Sequence, residues 1–484
     1  MWDAPLLHIQ RWFLHSKQKS IHHFNQAVLL TIKKGVDEVF LKEISHALLC
    51  HHDALRFQYR QDESGWNQAY LTPNNREIFN VVDLQGIPIQ ERAAEIEKIG
   101  AQTQASLDPL AGDLVRFIYF KVGNLGREET HPTVDAHWTR LLIVIHHLAV
   151  DGVSWHILIE DLTTLLDRGQ LPPKTSSYRD WAEQLQAKTA EGFFDAHIND
   201  WLHGIPDAIL PLDNPDAVNT VADSHNLWFT LSHPQTEHLL RTLPKLHDVT
   251  LDAVVLTALT ETLVQWSGQS SVSIKFESHG RQALFETVNL NRTVGWFTST
   301  YPLTIPQFYG SAVKRIRYTL EQLRQVTDGG ISFGALRYFH PDKAVRTQFE
   351  ALPVPWVTYN YLGQRNSLAN QDVGFASESI GQQVSSSYQR DTLLDSNASV
   401  INGQLRIRWT VTPQIQRETA ESLFGIFRKT LDTLIAESLH LHEHVVIPSD
   451  FADSDLSLRQ LEALMSDQED SLEMEYEDAE YEEF

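Results

Sequence analysis

Cysteine is almost absent from this chain: Cys50 is the only one among 484 residues. An internal disulfide is excluded, and so is a zinc site built from paired cysteines. Cys50 closes the apolar segment LKEISHALLC, where a small buried packing residue is the simplest reading. Long apolar runs are missing too. None approaches the 18 or more residues of a membrane span, and the start MWDAPLLHIQRW has no basic region followed by a long apolar core. These absences point to a soluble, cytoplasmic protein without a membrane partner. Positive charge is scarce, with 39 Lys and Arg against 63 Asp and Glu and a formal net charge of -24. Nucleic-acid backbones are bound by clustered basic side chains, so nucleic acid is an unexpected partner. No HExxH or CxxC pattern, no GxxxxGK[ST] loop, no dinucleotide fingerprint and no tandem repeat occurs. Neither a metal nor a cofactor bound by the chain itself is expected.

What is present supports a sizeable fold. Apolar residues make up 42% and aromatics 10%, enough for two lobes with real cores. The charge is uneven: residues 451–484 hold thirteen Asp and Glu against one Arg, half of the net charge. A short helical pattern around Leu456 to Met465 precedes EDSLEMEYEDAEYEEF, whose like charges favour a solvated tail. Leu472, Met474, Tyr476, Tyr481 and Phe484 interrupt the acids at regular intervals. The tail therefore reads either as a plain disordered terminus or as a docking segment that orders against a basic groove or sheet edge of another protein.

Elsewhere helical patterns alternate with short branched strands, which predicts an α/β layered architecture. Leu141 to Leu166 reads LLIVIHHLAVDGVSWHILIEDLTTLL, a buried-strand run followed by a segment with one apolar helical face. His146 and His147 thus sit at a strand end beside the Asp151-Gly152 turn, where a rigid scaffold can offer an imidazole to a cleft. The pair alone says little in a chain of 23 histidines that also contains His22-His23 and His51-His52; the ordered pattern HHxxxDG says more. The polar passage Asp167 to Ser177 is the best internal boundary, with a helix from Tyr178 to about Lys188 beyond it. Further on, Leu251 to Gly268 reads as a helix, and Ser271 to Glu277 and Trp356 to Tyr361 read as strands. Strand alternation in SVSIKFE ends at Glu277, next to the Ser278-His279-Gly280-Arg281 turn. A carboxylate there can be a base, an ion-pair partner or a turn acceptor.

Taken in order, these segments resemble the condensation superfamily of nonribosomal peptide synthetases, and its epimerization domains in particular. LHIQRWF, HHFNQAVLL, HHDALRF, HHLAVDG, ESHGRQ, NRTVGWFTSTYPL, GGISFGALRYF, YNYLGQ and PSDF are similar to successive family motifs, covering roughly residues 5 to 451. The tryptophan and phenylalanine of GWFTSTYP are the epimerization-type form. There are departures: Ser278 and Gln282 depart from EGHGRE, His156 replaces an arginine, and TDGG at Thr327 to Gly330 replaces a more basic loop.

The resemblance implies two chloramphenicol-acetyltransferase-like lobes in a V-shaped pseudo-dimer, residues 1–177 and 178–450, with 451–484 as the acidic tail. It implies epimerization of an aminoacyl or peptidyl α-carbon, with the substrate held as a thioester on the 4'-phosphopantetheine arm of a peptidyl carrier domain. His147 and Glu277 become the two proton carriers, their division into base and acid open. Asp151, with Gly152 and His146 in the same turn, supports His147, and Arg281 is the expected ion-pair partner of Asp151. Asn360 and Tyr361 become candidate donors to the enolate oxygen, against the alternative that a strand tyrosine simply packs. Trp155 and Trp296 are either cleft-lining or core residues. A condensing enzyme that uses the same His147, or a noncatalytic docking platform, remains the alternative.

Overall fold

The computed structural model describes residues 2–16, 21–33, 36–63, 65–73, 76–122, 138–206, 210–326, 328–365, 373–440, 445–451, 457–458 and 460–461. The acidic tail at 467–484, Thr327 and most of the helical pattern at 456–465 lie outside them.

Two mixed sheets organise the chain. The first has five strands, in the order Val373–Phe375, Asn25–Lys33, Trp138–His146, Val115–Lys121, Phe79–Asp83. The apolar run ahead of the histidines is buried on both sides. Leu141, Ile143 and Ile145 face the main core, whereas Leu142 and Val144 face a smaller one with Ile96 of the helix Ile89–Gln104. Burial of both faces is why that stretch is continuously apolar rather than alternating.

The second sheet has six strands, in the order Ser299–Pro306, Ser271–Ser278, Val357–Arg365, Leu394–Ile401, Gln404–Val411, His225–Thr230. Its helices include Leu251–Ser267, which is buried around most of its circumference. That helix starts where the Thr250 side chain accepts from the Ala253 N–H, and it ends on Gly268 in the left-handed region. A three-stranded sheet of Trp2–Asp3, Gly65–Tyr70 and Phe57–Asp62 completes the strands.

A cut at residue 177 does not separate the two halves cleanly. Val373–Phe375 pairs with Asn25–Lys33 at the edge of the first sheet. The chain after it stays there: Ala376 donates to Leu29 O, Arg140 pairs with Glu378, and Ser385 donates to His23 O. A short edge strand supplied from more than 200 residues away carries no periodic signal of its own, so the sequence pattern alone misses it. The main core likewise runs through both halves, from Ala4 to Ile447.

Candidate active site

The histidine strand Trp138–His146 ends as expected beside a tight turn, His147–Ala149, which leads into the helix Gly152–Leu166. Asp151 caps that helix: its Oδ1 accepts from the Ser154 N–H and hydroxyl, both at 2.8 Å.

The two histidines differ in what their nitrogens meet. His146 is fully buried, its Nε2 is 2.7 Å from Ile21 O, and its Nδ1 accepts from the Leu148 N–H. Both ring nitrogens have fixed backbone partners, and burial pushes its pKa down to about 3, so His146 is a neutral structural residue. His147 is half-buried, with Nδ1 2.8 Å from Val150 O and Nε2 3.0 Å from the Gln26 side-chain nitrogen. Its ring packs against two aromatic neighbours, with Trp296 at 4.2 Å and Phe24 stacked at 5.3 Å between centroids. Burial lowers its pKa, with Asp151 pulling the other way.

Glu277 comes from the other sheet, one residue from the end of the strand Ser271–Ser278. Burial raises its carboxyl to about 7; Lys275 opposes that shift, and Asp395 and Asp391 add to it. Its Oε2 accepts from Asn360 Nδ2 at 2.6 Å. Lys275, on the same face two residues earlier, binds both oxygens of Asp391 and lies 5.3 Å over the Trp12 ring. Trp12 in turn meets Trp296 edge-on at 6.5 Å, and Trp296 covers His147. A contiguous chain of contacts therefore links the Glu277 face of the second sheet to the histidine of the first. Gln26 lies within the HHFNQAVLL motif, but nothing in that motif marks its contact with His147; for Lys275, strand alternation alone could have put it beside Glu277.

The turn after Glu277 is fixed to the histidine turn by a buried ion pair. Arg281 Nη2 reaches both oxygens of Asp151 at 3.1 Å, and the two side chains are 7% and 4% exposed. Arg281 also donates to Ser154 Oγ, Leu290 O and Thr293 O, and its guanidinium stacks 4.2 Å over Phe297. The Phe297 N–H completes the Asp151 carboxylate at 3.1 Å. Gly280 makes this turn possible: with φ at +65, a Cβ there would lie 1.7 Å from Phe297 O.

Asn360 and Tyr361 are adjacent in a strand and so point to opposite faces. Asn360 shares the face of Glu277. Tyr361 shares the face of Tyr359, which pairs in register with Phe276 and binds Asp252. Tyr361 therefore packs on the core side, and a donor pair at one enolate oxygen is not available from these two residues. Gly152, in the first turn of its helix, and His156, in the second, are both exposed. Two positions of departure meet each other: a Cβ on Gly329 would lie 2.4 Å from Gln282 Nε2.

Among the described residues, His51, His52 and Asp161 form the one group whose donor atoms lie close enough to hold a metal ion. Asp161 is already engaged on both oxygens, by His52 at 2.9 Å and by the Arg292 guanidinium. A guanidinium on the same carboxylate competes with a cation, so the cluster reads as a buried ion pair that ties two parts of the fold. No helix among the described residues is long and apolar enough to cross a membrane.

A linear gramicidin synthase polypeptide of Brevibacillus parabrevis is 36% identical over 473 residues, which is 95% of this chain and 9% of that protein. The chain thus spans less than a tenth of that relative's length. Among solved structures, the epimerization domain from the third module of tyrocidine synthetase B superposes with a TM-score of 0.81 at 31% identity. That match covers 90% of this chain and 97% of the other. The first condensation domain of the calcium-dependent antibiotic synthetase shares the fold alone, with a TM-score of 0.68 at 17% identity over 92% and 99% of the two chains. Residues 2–457 match the condensation domain family, and this chain belongs to it.

Proposed function

We propose that the chain is an epimerization domain. It interconverts the L and D configurations at the α-carbon of an aminoacyl or peptidyl group held as a thioester on the phosphopantetheine arm of a peptidyl carrier domain. The observation that carries this reading is the Glu277 carboxyl, buried to a pKa of about 7 on the sheet face that reaches His147 through Lys275, Trp12 and Trp296. A group that is half protonated near neutrality can both take and give a proton, which suits it to proton exchange at one carbon in either direction.

In the reaction one group removes the α-hydrogen as a proton and the C–H electron pair enters the thioester enolate. A proton then returns to the opposite face of the same carbon. His147 and Glu277 are the two carriers, and the Lys275 ammonium supplies positive charge beside the developing enolate. Asp151 and Arg281 do not touch the substrate; they fix the two turns that carry these groups. The phosphopantetheine arm belongs to the carrier and enters as part of the substrate. The acidic tail at 467–484 is assigned to docking on a downstream synthetase protein, and its deletion is expected to weaken that pairing while leaving epimerization intact.

The likeness in structure favours this reading over condensation, since the epimerization domain superposes at 0.81 and the condensation domain at 0.68. The test is chiral analysis of the acyl group released from an L-loaded carrier after incubation with the protein. A mixture of L and D supports epimerization. Recovery of pure L together with a new amide, when an acceptor amine is supplied, returns the condensing alternative.

A further inference from the structure

His147 Nε2 is not open; it is in contact with Gln26, which is itself held by Trp155. Three hydrogen bonds determine where the protons lie. The Trp155 indole N–H can only donate, so the Gln26 atom 2.7 Å from it is the amide oxygen. The amide nitrogen then faces His147 Nε2 at 3.0 Å and must donate. Val150 O can only accept, so the proton of the neutral ring sits on Nδ1, 2.8 Å away. Nε2 therefore carries a lone pair. The same arrangement opposes its protonation, because an Nε2–H would meet a second donor. The amide cannot turn its oxygen toward the ring without leaving the half-buried Trp155 N–H facing another N–H.

We propose that Gln26 and Trp155 are positioning residues that lock His147 in its neutral Nδ1–H form, so that in the resting enzyme His147 is the proton acceptor and Glu277 the donor. This rests on the epimerization reading. The α C–H bond breaks, its electron pair enters the enolate, and an N–H bond forms at His147 Nε2 as the Gln26 amide gives way. Protonated Glu277 gives its proton to the opposite face and becomes a carboxylate, and both groups then reset by exchange with solvent. The charged group that faces His147 is Asp151, already matched by Arg281, and the neighbouring His146 is neutral and backbone-bonded. Neither offers the ring a new acceptor for an Nε2 proton.

The test has two readouts on the full-length protein. Selective 15N labelling of histidine, with the His147→Ala spectrum subtracted, is expected to give an Nδ1–H ring for His147 in the wild type. The acid limb of the α-hydrogen exchange rate on a loaded carrier is expected to move up by about one pH unit in Trp155→Phe, where the amide is free to turn. It should move further in Gln26→Glu, where a carboxylate faces the ring, and Gln26→Leu serves if Trp155→Phe does not fold. An Nε2–H ring in the wild type, or acid limbs that coincide in all variants, overturns the lock. A wild-type protein that exchanges no α-hydrogen overturns the epimerization reading instead, while the ring spectra still decide the tautomer.

Discussion

At the scale of single residues, the site depends on charges that the fold has taken out of water. Asp151 has every acceptor position filled by Arg281, Ser154 and the Phe297 N–H. Removing one partner would leave the other buried and unpaired. Asp151→Ala is therefore expected to cost about 3–5 kcal/mol, measured by urea unfolding; a loss under about 1 kcal/mol would mean that solvent reaches Arg281. Glu277 carries the opposite lesson. Its folded pKa of about 7 lies above the ordinary 4.5, so the native state keeps a proton that the unfolded chain has lost between those values. Stability falls as pH rises through that window, and above pH 7 the penalty is fully in place, about 3 kcal/mol. Glu277→Gln is expected to be more stable than wild type at pH 8, with the gain vanishing toward pH 4.5, even as epimerization is lost. Equal unfolding midpoints at pH 8 would contradict the burial. Lys275 holds the Glu277 pKa down, so Lys275→Met is expected to move the alkaline limb of the exchange rate upward; an unmoved limb would remove Lys275 from the site.

At the scale of elements, the histidine turn, the carboxylate turn and the helix capped by Asp151 are legible in the sequence, because strand runs, glycine turns and an N-cap residue leave local signatures. Leu141 to Ile145 reads as a strand and is one, and Ser271 to Glu277 likewise. The sidedness of Asn360 and Tyr361 is legible in principle, since alternation forbids adjacent strand residues from sharing a face, but motif resemblance groups them together. The contacts of Gln26 and Lys275 are not legible, because each acts through a partner distant in sequence: Trp155 for Gln26, and Trp12 and Asp391 for Lys275. The turn at Gly280 gives an element-scale prediction. A Cβ at Gly280 would collide with the Phe297 carbonyl, so Gly280→Ala is expected to displace the Arg281 turn and lower both stability and exchange. Near-wild-type unfolding would show that the turn can relax without cost.

At the scale of the whole molecule, residue patterning yields the α/β class, and the two lobes come from the resemblance, which does not show how the strands are shared between the sheets. The strand Val373–Phe375 returns to the first sheet, and no periodicity in three residues could announce that. The fold also stores several neutral buried bases. Burial lowers His8 to about 4 and His146 to about 3, so the unfolded chain binds protons below pH 6.5 that the native state refuses. Their contribution to stability is present above pH 6.5 and declines as pH falls toward those values. Glu277, Asp252 and Glu261, raised by burial, act with opposite sign, so the clean observable is a change in slope. His146→Gln is expected to flatten the fall in unfolding midpoint between pH 6.5 and 4 relative to wild type; parallel curves would mean that His146 is protonated in the native state.

In the proposed reaction two proton carriers from different sheets act on one tethered carbon. The most direct measurement is deuterium incorporation at the α-carbon of an L-loaded carrier in D2O, followed by mass spectrometry for wild type, His147→Ala and Glu277→Gln. Proton transfer by these two carriers predicts rapid incorporation with the wild type and a loss of roughly 100-fold or more with each variant. Incorporation at the wild-type rate in both variants would contradict it.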